Sequence, residues 1–499
     1  SHEQGAAHAA DGYARSTGKV GVCLATSGPG CTNLTTGIAT AYMDSSPIVA
    51  VTCNVSKKLL GKDSFQEVDS TGITRPITKW NRIVSDVHEL ASAVRQAFLI
   101  ARSGRPGPVL LDITKDVTGA SCDFASLPVK EHRIFELPNQ LSRRLMGSLD
   151  VHEPDAGSMD SFVALLEKAE RPLIVCGGGV VRSRATAELN EFANRADAPV
   201  AITVMGGGGF RGRDPLTTGM IGMHGSQASN MAVDNCDLLI ALGCRFSDRV
   251  ALQPSTFASQ ATIVQVDIDS TEMGKNVRCD LSVLGDAKRV LELVNERLPQ
   301  QSHLVWKEFV FSFPTETQYE GGGDHLTPKQ VNSTIARMCP NDTMVATDVG
   351  QHQMWAIQHF HYDYPGQLLT SGGFGAMGFG LGAAIGAQVG NPDKRVILVT
   401  GDGSFRMNCN ELATVEHYGL PIITIVYDNT VLGMVHQWQT LIYDQRYSQT
   451  TLDRGPDWVK LADAYGLKGR RVSTEAELED ALGEALGCGR GYVIDAVLN

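Results

Sequence analysis

Short apolar, β-branched runs alternate along this chain with longer stretches of helix-forming residues, and many of the apolar runs end in Gly, Asp or Asn. Residues 20–26, 48–52 and 109–113 are such runs in the first part. Residues 173–176, 200–204, 238–242 and 263–266 follow in the middle, and 343–347, 396–400 and 421–427 towards the end. Runs that are apolar throughout, rather than alternating, predict strands of parallel sheets covered on both faces. Ala-rich 2–16 and 31–43 predict helices. Residues 407–418, stopped by Gly419, predict the crossover helix between strands 396–400 and 421–427, a βαβ unit. Residues 121–155 lose periodicity and gain Pro, Ser and mixed charge, and 301–325 are charged and aromatic before Gly321-Gly322-Gly323. Both read as linkers. The expectation is an α/β protein of three doubly wound parallel-sheet domains, over residues 1–120, 156–300 and 326–499.

Composition narrows the partners rather than the fold. A chain of 499 residues, 42% hydrophobic and 20% charged, has ordinary globular proportions. Its net charge of −12, without a basic cluster, argues against nucleic acid. No apolar run approaches the roughly 20 residues of a membrane span. The 11 cysteines are scattered without a CxxC pair and read as small buried hydrophobes in a reducing compartment, so a cytoplasmic location is expected. The opening SHEQGAAHAADGYAR has no signal peptide and no preceding strand, and reads as a chain whose first part is missing.

Candidate chemistry gathers at the strand ends. Parallel strands 396–400 and 421–427 bring Asp402 and Asn429 out at the same sheet edge. Gly401 and Gly403 let a bound anion approach the backbone, and the following helix start offers free N–H groups. A carboxylate, a side-chain amide and a nearby carbonyl are hard oxygen ligands suited to Mg²⁺, with diphosphate oxygens and water completing the shell. GDG alone is ordinarily a turn; the Asn at the far end of the crossover is what favours a metal. In the middle third, Gly177-Gly178-Gly179, Gly206 to Gly209, Gly243 and Asp267 end successive strands and mark a ligand crevice. They do not form a full GxGxxG, so by spacing alone tight strand-to-helix turns are the stronger reading. Glu3 by itself is a solvated acid favourable to a helix N-terminus. Lys115 by itself is a solvated loop end, and 61–80 is a polar surface loop.

GDGS at 401–404 followed by Asn429 resembles the diphosphate-binding motif of thiamin diphosphate (ThDP) enzymes. LGMVHQWQTLIY at 432–443 resembles the catalytic subunits of the acetolactate (acetohydroxyacid) synthase family. HEQGAAHAADGYAR at 2–15 with SGPG at 27–30 is similar to the family's pyrimidine-binding (PYR) domain, and 326–499 to its diphosphate-binding (PP) domain. GMHG at 222–225, GCRFSDRV at 243–250, VDID at 266–269 and GDA at 285–287 resemble the FAD-binding segments of the anabolic synthases.

The resemblance implies roles. Glu3 would hydrogen-bond N1′ of the aminopyrimidine from a poorly hydrated position, with Pro29 and Asn33 beside the ring. Gln351, His352, Gly401, Gly403, Ser404 and Met434 would face ThDP, and Met377 would prop it into a folded shape; as plain sequence Met377 reads as core. Asp402, Asn429 and the Val431 carbonyl would hold Mg²⁺. Phe65-Gln66 and Lys115 would belong to the active site, Arg249 would pair with the acceptor's carboxylate and Trp438 would wall its pocket. A structural FAD would lie on Arg105, Gly177, Gly178, Met223, His224, Gly225, Arg245, Asp267 and Asp286. Two departures stand out: Ser247 replaces an Asp of the family's RFDDR, and IDAVLN ends where the family continues.

The activity implied is decarboxylation of pyruvate and transfer of the two-carbon unit to a second pyruvate or to 2-ketobutyrate. That yields 2-acetolactate or 2-aceto-2-hydroxybutyrate, the first common step towards branched-chain amino acids. Implied partners are a second copy, as a homodimer or dimer of dimers with Glu3 and Asp402 meeting across the interface, and a small regulatory subunit. The alternatives are another ThDP carboligase or decarboxylase, against which Glu3, GCRFSDRV and LGMVHQWQ count, and a non-catalytic nucleotide-binding protein on the same fold.

Overall fold

The computed structural model describes residues 1–123, 153–316 and 325–498. Three sheets account for them, and every strand pairing is parallel. The first holds β1 (Gly21–Ala25), β2 (Ile48–Asn54), β3 (Trp80–Val84) and β4 (Val109–Thr114) in the order β1-β2-β4-β3. The second holds β5 (Pro172–Cys176), β6 (Val200–Ile202), β7 (Thr217–Met220), β8 (Leu238–Leu242), β9 (Thr262–Asp267) and β10 (Leu281–Leu284), in the order β10-β9-β8-β5-β6-β7. The third holds β11 (Met344–Thr347), β12 (Leu368–Leu369), β13 (Val396–Gly401), β14 (Ile423–Asp428), β15 (Lys468–Val472) and β16 (Tyr492–Val497), in the order β12-β11-β13-β14-β16-β15. The order reverses beside β13, which opens a crevice at the carboxyl edge where Asp402 follows.

Successive side chains on a strand point to opposite faces, and in the second and third sheets both faces are covered. In β5, Ile174 and Cys176 join one buried cluster while Leu173 and Val175 join the other. In β13, Ile397 and Val399 pack on one side and Val396 and Leu398 on the other. That is why the strand segments read as unbroken apolar runs.

The first and third sheets are joined through helices Glu3–Thr17 and Phe379–Gly390, which cross backbone to backbone. A Cβ on Gly386 would lie 1.8 Å from the Ala9 carbonyl oxygen, and one on Gly12 would lie 2.2 Å from that of Ala383. Only glycine permits that approach.

Several expected elements are relocated. The helix expected at 407–418 begins on Asp402 itself: Asp402–Asn408 is helical, Cys409–Glu411 is a 3₁₀ turn and Leu412–His417 resumes. An acid at the first helical position suits the macrodipole. The break follows Asn408, whose amide donates to the Gly378 carbonyl at 2.7 Å. The loop 61–80 is not a plain surface loop. It contains helix Ser70–Thr74, whose Ser70 and Thr74 are buried, and the Ser70 hydroxyl donates to Asp112. Residues 301–316, expected as linker, carry helix Leu304–Phe311. Trp306 is buried there, its indole N–H donating to the Pro172 carbonyl at 2.9 Å. Of the other expected linker, residues 124–152 lie outside the described set.

Candidate functional site

The cleft at the carboxyl edge of the third sheet is lined by Gln351, His352, Met377, Gly401, Asp402, Gly403, Ser404, Asn429, Val431 and Met434, together with Val349, Trp355 and Tyr427. β13 and β14 deliver Asp402 and Asn429 to it as expected. Asp402 is 3% exposed. Its Oδ1 accepts from Gly403 N at 2.9 Å, and its Oδ2 has no partner. Burial, reinforced by nearby Asp428, pushes its carboxyl up to about 7. A buried carboxylate with one orphaned oxygen calls for a cation, and the adjoining Asn429 amide oxygen and Val431 carbonyl are the right donors for a hard one.

His352 is also buried, its Nε2 unpartnered, and burial holds its ring down to about 3, so it is neutral. A Cβ on Gly401 would stand 2.7 Å from His352 Nδ1, so glycine there is what admits the imidazole. Ser404 donates to the Val349 carbonyl at 2.7 Å, which fixes its oxygen at the helix start.

The Glu3 group is assembled separately. Glu3 opens its helix, and Asn33 Nδ2 donates to its Oε2 at 3.0 Å. Gly30 lies close by, and Pro29 begins the helix that carries Asn33. Gln66, at φ 59°, lies with its backbone against Gly28 of the same turn. Phe65 beside it is 88% exposed. Glu67 knots this loop by accepting from Ser64 N at 2.9 Å and from Gly61 N. Lys115 stands exposed at the carboxyl end of β4. The expectation that Glu3 is poorly hydrated does not hold in the single chain. It is only half-buried, and the Asn33 hydrogen bond holds its carboxyl below the usual range. Among the described residues the Asp402 cleft is lined by neither Glu3 nor Asn33.

The middle sheet adds a third group. Gly177 and Gly178 turn β5 into helix Gly178–Ser183, packed against Gly243. Asp267 ends β9 at 9% exposure, and burial pushes it up to about 6. Asp286 caps helix Ala287–Asn295, accepting from Lys288 N at 3.0 Å and Arg289 N at 3.3 Å. Arg105 reaches across from the first sheet and pairs with Glu272 at 2.8 Å and Asp269 at 3.2 Å. Arg245 lies near Gly373, four residues before Met377. Met223, His224 and Gly225 form the turn after β7, where Met223 N donates to the Arg249 carbonyl at 3.0 Å. The Arg249 guanidinium lies 5.0 Å from the Trp438 ring centre, and Gln358 donates to the His224 carbonyl at 2.7 Å. The middle unit thus touches helix Gly433–Leu441, which begins inside the cleft.

Sequence reasoning missed Asp348. It ends β11 and is 1% exposed, with burial pushing it up to about 6. It accepts from Gly378 N at 2.8 Å. The signal was available, since Asp at a strand end was already a marker in the middle third. It also missed Arg15 and Asp44, although a charge repeated at Asp11 and Arg15 in an Ala-rich helix is a visible anomaly.

Comparison with known proteins bears on all three units. Residues 1–73, 159–294 and 348–496 match, in turn, the N-terminal TPP binding, central and C-terminal TPP binding domains of thiamine pyrophosphate enzymes. A probable acetolactate synthase large subunit of Methanocaldococcus jannaschii is 42% identical over 511 residues, spanning 100% of this chain and 84% of that protein. The acetolactate synthase large subunit of Cyanidium caldarium is 42% identical over 514 residues, with 100% and 85% covered. The acetolactate synthase isozyme 2 large subunit of Escherichia coli K12 is 42% identical over 495 residues, with 99% and 87% covered.

Proposed function

Since this chain belongs to the acetolactate synthase large subunits, within the thiamine pyrophosphate enzymes, we propose that it decarboxylates pyruvate and passes the two-carbon unit to a second pyruvate or to 2-ketobutyrate. The products are 2-acetolactate and 2-aceto-2-hydroxybutyrate. The observation that carries the reading is the orphaned, buried Asp402 oxygen at the head of its helix, beside Asn429 and Val431. Mg²⁺ held there would anchor a diphosphate against the helix N-terminus and the neutral His352.

ThDP, when bound, supplies the electron sink for decarboxylation. The protein's part is orientation, proton control and exclusion of water. Glu3 holds a proton at the pyrimidine N1′, with Asn33 fixing its carboxylate. Met377 and Met434 supply apolar walls, and Ser404 presents a fixed oxygen. Arg249, stacked on Trp438, offers a guanidinium to the acceptor's carboxylate. One methylene is worth only ~1–3 kcal/mol to such a wall, so both acceptors are used. Gln66, whose backbone lies against Gly28, and Lys115 are assigned to the Glu3 side of the site.

We infer further that Glu3 and Asp402 complete one site across a homodimer, with units near 1–120, 156–300 and 326–499 as its domains. FAD is assigned a structural place at the ends of β5, β8 and β9, beside Arg105, Asp267 and Arg245. Asp286, spent on capping a helix, has least left to offer it. Relatives carry the name large subunit, which supports a small regulatory partner. No helix among the described residues is long and apolar enough to cross a membrane, and a cytoplasmic location is proposed.

The test is direct. Pure protein with pyruvate, ThDP, Mg²⁺ and FAD yields acetolactate in a colorimetric assay, and absence of product under those conditions defeats the reading. Flavin absorbance of the purified protein checks the FAD site independently.

A further inference from the structure

Met377 enters the cleft on a loop that has little reason to hold one shape. Residues 370–380 include Gly372, Gly373, Gly375, Gly378 and Gly380, with Gly375 at φ 70° and Gly378 at φ 88°. Glycine-rich backbone loses the most freedom on ordering, and Met is the most flexible apolar side chain. Something beyond the loop's glycine backbone must therefore define where Met377 stands.

Three side chains do so by accepting the loop's own amides. Asp44 Oδ1 accepts from Gly373 N at 2.7 Å. Ser371 Oγ accepts from Gly375 N and Ala376 N, each at 3.1 Å. Asp348 accepts from Gly378 N at 2.8 Å and from Gly380 N at 3.3 Å. The bonds to the two carboxylates are the strong, charge-assisted kind.

Asp44 belongs to the first unit, and it is itself held. Its Oδ2 accepts from Arg15 Nη2 at 2.9 Å. Arg15 is gripped by both oxygens of Asp11, at 2.7 and 2.8 Å, and its Nη1 donates to the Thr370 carbonyl at 2.6 Å. Arg182, from the middle unit, donates to the Asp44 carbonyl and to Ser46 Oγ, each at 3.0 Å. All three units thus converge on the start of the Met377 loop. Asp11, Arg15 and Asp44 are all buried. Buried ion pairs are poor sources of stability compared with apolar packing, and their best-attested use is to fix one arrangement among several.

We propose that Asp44 and Asp348 are positioning residues for the cofactor cleft: by pinning the amides on either side of Met377 they set where that side chain enters, with Arg15 and Arg182 transmitting the placement of the other two units. This rests on the ThDP reading above.

The test uses the full chain with ThDP and Mg²⁺, comparing the parent with Asp44→Asn, Ser371→Ala and Gly373→Ala. Asp44→Asn keeps an oxygen for Gly373 but removes the charge facing Arg15. Gly373→Ala places a Cβ 2.5 Å from Asp44 Oδ1 while leaving every buried charge in place, and serves if Asp44→Asn does not fold. The expected result is a split: ThDP affinity stays within about threefold, because the diphosphate contacts are untouched, while kcat falls about tenfold or more. The near-ultraviolet circular dichroism of the bound cofactor, which reports its folded shape, changes with kcat. Unchanged kcat and dichroism, or kcat and affinity lost in parallel with thermal stability, overturns the proposal. A parent chain that fails to bind ThDP overturns the functional reading instead, so the two failures are distinct.

Discussion

The Asp402 cleft and the Glu3–Asn33 group are built on opposite principles. The first is finished within one chain: Asp402 and His352 are buried, their free polar atoms turned to no protein partner, and both are driven towards neutrality by desolvation. The second is open: Glu3 is half-buried and its carboxyl is held low, chiefly by the Asn33 amide. A diphosphate with its cation needs a fixed, desolvated cradle before it arrives. A proton relay needs its low-dielectric surroundings only once the ring is in place. The contrast suits a site whose anchoring half is prebuilt and whose proton-handling half acquires its cover from a second surface.

The strongest way to break this comparison is subunit mixing. The Glu3→Gln and Asp402→Ala variants are each expected to lose activity, by roughly 10²–10⁴-fold for the acid. If the two groups meet across an interface, mixing and reannealing the variants regenerates one intact site per heterodimer, and acetolactate formation returns. No recovery after verified subunit exchange places both groups in one chain's site. A smaller effect sharpens the anchoring half. Because burial holds His352 down to about 3, it carries no charge at working pH. His352→Ala is expected to weaken ThDP about tenfold, measured by titration calorimetry, without moving either limb of the pH–rate profile. The smallest effect probes the open half. The Asn33 hydrogen bond is the largest cause of the lowered Glu3 carboxyl. Asn33→Ala raises that carboxyl, so the acid limb of kcat/KM moves to higher pH. A shift in the other direction contradicts the assignment.

How much of this could be read beforehand follows from where each strand lies. The runs that announced themselves are mostly interior strands, apolar on both faces. β3, β7, β10, β12 and β15 gave no expectation, and each is an edge strand. Edges carry polar residues, as in WNRIV and KGRRV, because one side meets solvent or a loop. β16 is interior but was hidden by Asp495. In the site, residues placed by local backbone were legible: Asp402 and Asn429 sit where two strand ends put them. Environment was not. The hydration of Glu3 depends on tertiary surroundings that no spacing encodes. The hold of Asp44 on Gly373 joins residues 329 positions apart, a pairing with no local signature.

The glycine crossing of helices Glu3–Thr17 and Phe379–Gly390 has a mechanical corollary. Two backbones interlocked at Gly12 and Gly386, without a side chain's width between them, can neither slide nor roll. The outer α/β units of the chain therefore travel as one block. Any widening of the Asp402 cleft then comes from its own loops and not from a hinge between those two units.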